Sequence, residues 1–103
     1  MNSVLINAAR GEVPLTIGGR TYRLCLTLGA LAQLEEAFGA PDLDALGARL
    51  NAPSMRDLLL VLRALLAGGG EAVSDEELAQ WPMDIKAIAA AIAETFGRSG
   101  LGA

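Results

Sequence analysis

The sequence contains no histidine, one cysteine, one tryptophan, one tyrosine and two phenylalanines among its 103 residues. Without histidine there is no Ser-His-Asp or Cys-His arrangement, no general base titrating near neutral pH, and no share in the commonest transition-metal ligand. Cys25 stands alone, so no disulfide forms within the chain. With no histidine to activate it, it reads as a small hydrophobe in a strand. No apolar run approaches the roughly 18 residues that span a bilayer. The opening MNSVLINAAR also lacks the basic-then-apolar order of a signal peptide. A soluble, cytoplasmic protein is expected. A basic stripe is missing as well: the net charge is −4, with +2 over residues 1–33 and −6 over the remainder. This balance excludes a phosphate-neutralising surface, so no nucleic-acid partner is expected.

What the chain has in surplus is apolar residues. Hydrophobic types make up 52%, glycine adds 12 residues, and charged residues fall to 19%. Ordinary soluble domains hold roughly 45–50% apolar residues with glycine counted in. Disorder is thereby excluded, and the length fits a single domain over residues 1–103. More apolar surface than a core of this size needs implies self-association.

The periodicities predict an α+β fold, mostly helical, with an N-terminal β-hairpin followed by about five helices. Residues 1–10 form an N-terminal segment, 11–26 the hairpin, 27–97 the helical part and 98–103 a flexible tail. GEVPLTIG and RTYRLCL alternate with period two around Gly18 and Gly19, a pair suited to a two-residue turn with positive φ. Ile17 then faces Arg20, Leu15 faces Tyr22 and Val13 faces Leu24. This register puts the apolar residues on one face and Glu12, Thr16, Thr21 and Arg23 on the other. Pro14 blunts the outer edge of the first strand, so any extension of the sheet is expected along residues 20–26, by Val4, Leu5 and Ile6 or by another chain. Thr27, Asp42, Ser54, Ser74 and Asp84 read as N-caps. Ser54 with Asp57 and Ser74 with Glu77 have capping-box spacing. Gly39, the Asn51-Ala52-Pro53 run, the three glycines 68–70 and Pro82 read as stops.

No catalytic or cofactor site emerges. Neither glycine-rich stretch carries the GK[ST] ending of a phosphate loop. The acid pairs Asp42 with Asp44, and Asp75 with Glu76 and Glu77, fall in first helical turns, where carboxylates favour the dipole. Tyr22 and Trp81 read as core or rim aromatics. No enzyme activity, cofactor, metal or small-molecule substrate is expected. The candidate contact lies on the helix after Ser54. A helical wheel packs Leu58, Leu59, Val61, Leu62, Leu65 and Leu66 in one arc and leaves Leu60 outside it, with Arg56, Arg63, Ala64 and Ala67. A leucine between two arginines makes Leu60, Arg56 and Arg63 the partner-binding candidates.

Arg10-Gly11-Glu12-Val13, the Ile17-Gly18-Gly19-Arg20 turn, the block Leu26-Thr27-Leu28-Gly29-Ala30-Leu31-Ala32-Gln33-Leu34-Glu35, and Gly68-Gly69-Gly70-Glu71 with Val73-Ser74-Asp75-Glu76-Glu77 resemble the small tail protein of gene transfer agents. These are phage-derived, prophage-like particles encoded mainly by alphaproteobacteria. The resemblance spans roughly residues 10 to 97; Val4, Leu5 and Ile6 and the Trp81-Pro82-Met83 junction do not match its pattern. It implies a role in tail morphogenesis, either as a tail assembly chaperone that coats the tape-measure protein or as a structural tail or tube component. The chaperone role is favoured, because a tube subunit needs extensive β-structure that one hairpin does not offer. An oligomeric bacterial interaction module unrelated to phage would share the composition.

Overall fold

The structure, a computed structural model, describes residues 5–82 and 84–99. Its elements follow the expected order: a short 3₁₀ turn Ala8–Arg10, strands β1 (Val13–Ile17) and β2 (Arg20–Leu24), and helices α1 (Leu28–Phe38), α2 (Leu43–Asn51), α3 (Met55–Gly68), α4 (Asp75–Ala79) and α5 (Ile85–Ser99).

Gly18 and Gly19 take φ of 60° and 80°, the paired left-handed geometry that closes a two-residue hairpin. The register is the one the alternation demands, with Val13 opposite Leu24, Leu15 opposite Tyr22 and Ile17 opposite Arg20. Those residues, Arg20 excepted, are buried. On the outer face Thr16 and Thr21 share a hydroxyl hydrogen bond of 2.9 Å. Glu12 departs from the expected outward polar face and is buried. Its carboxylate accepts the Asn7 N–H at 2.8 Å and pairs with Arg10 at 2.8 Å, bonds that compensate for leaving water.

The helix boundaries are set by side chains. Thr27 accepts from the Ala30 N–H, Asp42 from that of Ala45 and Asp84 from that of Ala87, while Ser54 with Asp57 and Ser74 with Glu77 form complete capping boxes. Gly39 stops α1 at φ 62°. Two boundaries differ from expectation. Helix α4 ends at Ala79 rather than Trp81, and α5 continues through Gly97 to Ser99, so residues 98 and 99 belong to the helical part. An ion pair from Arg98 to Glu94, one turn earlier, spans the glycine and supports the extra turn.

Helix α3 is the centre of the core, with Val61, Leu62, Leu65 and Leu66 fully buried. It packs on β2 and α1, α5 covers the hairpin and α3, and α2 rests on α1. The end of α3 lies against β2 so closely that a Cβ on Gly68 would collide with the Cys25 carbonyl and one on Gly69 with that of Arg23. The Cys25 N–H donates to the Leu65 carbonyl at 3.0 Å and the Arg23 N–H to the Glu71 carboxylate at 2.8 Å. These contacts overturn the expected sheet extension at Arg23 and Cys25, whose outward donors are already taken. The sheet keeps two strands and Leu5 is exposed; Val4 lies outside the described residues.

Candidate functional site

Two surfaces carry apolar side chains that the fold leaves uncovered. The first is the outer side of α3. Its buried arc is displaced from the one the wheel gives: Ala64 and Asp57 are buried, whereas Leu59 is 45% exposed. The shift arises because α1 packs on one flank of α3, and a small residue such as Ala64 lets two helix backbones approach. Leu60 is half-buried, at the boundary of the arc. It stands between two depressions, one shared with Gln33, Ala37 and Ala67, the other with Arg56, Leu59 and Ala79, and Arg63 borders both. The structure thus brings Leu60, Arg56 and Arg63 together. Arg63, however, is engaged, its Nη1 lying 2.6 and 2.8 Å from the two Asp75 carboxylate oxygens and tying α3 to α4.

The second surface is a groove of about 680 Å³ between α2 and α5. Leu46, Leu58, Val61, Ile92 and Phe96 form its apolar floor, and Leu43, Gly47 and Ala48 on one bank face Ala89 and Ala93 on the other. The groove exists because α2 is carried by α1 and stands off from α5. Leu43, the first residue of α2, is 46% exposed on its lip. Asp44 is the one charged residue lining it. The α3 wheel gave no hint of this site. The Gly47-Ala48 pair within α2 and the alanines on the back of α5 were the only traces of it, and small residues identify a groove only once two helices face each other.

The carboxylates serve structure. The Asn7 N–H, aided by Arg10, holds Glu12 below the ordinary carboxylate range despite its burial. The Ser54 N–H, aided by Arg49, does the same for Asp57. Asp42 and Glu77 are occupied as caps. Cys25 is buried, its thiol 3.6 Å from the Arg10 carbonyl oxygen. Among the described residues no group of three or more carboxylates or thiols is placed to hold a metal ion, and no helix is long and apolar enough to cross a membrane.

A hairpin, a central apolar helix and two partly uncovered apolar surfaces define a small α+β protein. A family model described as phage tail tube protein, GTA-gp10, matches residues 10–99, and the chain belongs to this gene transfer agent tail family. The description of that family is of a structural tail protein. No curated protein and no solved structure matches the chain.

Proposed function

We propose that the chain is a tail assembly chaperone that holds apolar helical stretches of the tape-measure protein until tube subunits assemble around them. The observation that carries this reading is the groove between α2 and α5, an apolar trough of about 680 Å³ bordered by small residues, the shape into which the apolar face of a helix fits. The sheet supports it too. Its two strands total ten residues, and the outer edge is occupied at Arg23 in β2 and at Cys25 just after it by Glu71 and the end of α3, which leaves little β-structure for ring-to-ring pairing. The outer side of α3, with Arg56, Leu60 and Arg63, is a second contact for the same partner or for other tail proteins.

A structural tube component is the second reading, favoured by the family description. Mass spectrometry of purified particles separates the two. A chaperone is absent from finished tails and keeps co-expressed tape-measure protein soluble; a tube component is abundant in the particle and leaves the tape measure insoluble. Light scattering reads self-association, and a 10.6 kDa species at tens of micromolar removes the oligomer.

A further inference from the structure

The groove between α2 and α5 has a polarity as well as a shape, and the polarity restricts what enters it. Asp44 is its single charged wall, and the residue takes part in none of the ion pairs found among the described residues. It is exposed beside Leu43, at the N-terminal end of α2, where Asp42 adds a second carboxylate one residue before the helix begins. That lip is therefore acidic, while the two banks are small and apolar at Gly47, Ala48, Ala89 and Ala93. Small residues on facing banks let a helix backbone lie low between them, and the apolar floor then receives its large side chains. Accepting an acidic side chain at the lip would set like charges together, whereas a lysine or arginine gains a partner that Asp44 lacks within the chain.

Resting on the reading of the chain as a holder of apolar helices, we propose that the α2–α5 groove selects an amphipathic helix whose apolar face is flanked by basic residues, with Asp44 as the residue that discriminates. The partner segment then combines a stripe of leucine or similar side chains with lysine or arginine along one margin, and segments flanked by acids are refused.

The test uses the full chain and two synthetic peptides of about 18 residues, roughly five helical turns. Both carry the same alanine and leucine face and differ only in lysine or glutamate along the margin. A scrambled lysine peptide without the apolar stripe is the control. Fluorescence anisotropy gives affinity, and backbone amide shifts of labelled protein give location. The expected result is binding of the lysine peptide at least about threefold tighter than the glutamate peptide at low salt, with the difference shrinking as salt rises. The shifted amides fall at Gly47, Ala48, Ala89 and Ala93. Asp44→Lys, at an exposed position, removes or inverts the preference while circular dichroism stays unchanged. Ala93→Gln fills the groove and weakens both peptides.

Equal affinity for the two margins overturns the proposal, as does scrambled-peptide binding as tight as that of the lysine peptide. So do shifts centred on Leu59 and Arg63 instead of the groove. Shifts of the groove amides with protein concentration alone assign the groove to a second copy and also overturn it. The two readings fail separately. Protein that binds the lysine peptide in the groove but leaves the tape measure insoluble refutes the chaperone and keeps the groove assignment. Protein that solubilises the tape measure but shows no peptide preference does the reverse.

Discussion

The seam where α3 ends against β2 and the groove between α2 and α5 are built from similar residues, small and apolar, yet they behave oppositely. At the seam, Gly68 and Gly69 let the helix backbone touch the strand, and Leu65 and Glu71 supply acceptors for the strand's outward N–H groups. The outward N–H groups of Arg23 and Cys25 thus have partners inside the chain. In the groove, Gly47, Ala48, Ala89 and Ala93 face one another without meeting, and the floor keeps apolar surface open to solvent. Small residues close an interface when the backbones they allow to approach do so, and leave a receptor when tertiary constraints hold them apart.

The largest effect belongs at the seam. Gly69→Ala drives a Cβ into the Arg23 carbonyl, and since only a backbone shift relieves the clash, about 3 kcal/mol or more of stability is lost, read by urea denaturation. A loss below about 1 kcal/mol would show that the contact is slack and that the two regions are alike. Next comes the contrast between a seam-side and a groove-side leucine. Leu65→Ala, in the fully buried centre of α3, costs about 2–5 kcal/mol. Leu43→Ala, on the exposed lip of the groove, costs about 0.5 kcal/mol or less and lowers tape-measure solubility in co-expression instead. Equal costs would mean that the groove is closed core.

Glu71→Ala leaves the Arg23 N–H without its acceptor, at a cost of about 1–3 kcal/mol, and speeds hydrogen exchange at that amide. Unchanged exchange would show that the edge is protected by Gly69 alone. The acid response follows from Glu12 and Asp57. Both carboxyls are held below their unfolded values, so their stabilisation is fully present above the ordinary carboxylate range of about 4 and is lost as pH falls through their lower folded values. Urea midpoints should be flat from pH 8 to pH 6, a window of about two units well above that range, and decline at acid pH, less steeply in Glu12→Gln. A modest effect on stability is expected for Leu60→Asp. Half-buried beside Arg56 and Arg63, the new carboxylate lies near two cations, and about 1 kcal/mol is lost. Tape-measure solubility equal to wild type in that variant would remove the outer side of α3 as a contact.

Local chemistry wrote most of the fold into the sequence. The glycine pair at 18 and 19 and the alternation on either side fixed the hairpin and its register, because a two-residue turn permits one pairing that buries Val13, Leu15, Tyr22 and Leu24 together. The caps at Thr27, Asp42, Ser54, Ser74 and Asp84 located the helix starts, since each satisfies backbone donors within three residues. Family membership was legible for the same reason, in short blocks from Arg10 to Glu77. What the sequence alone did not decide is which side of a helix meets a neighbour. Helix α3 is apolar over so much of its circumference that its phase depended on where α1 came to rest, and this exposed Leu59 and buried Ala64. The burial of Glu12 waited on the folding back of Asn7 and Arg10, and the occupied edge of β2 on the arrival of Gly69 and Glu71 from 46 and 48 residues away in sequence. The groove is the extreme case. It is a gap between helices distant in the chain, and a gap has no residues of its own until tertiary packing places its banks.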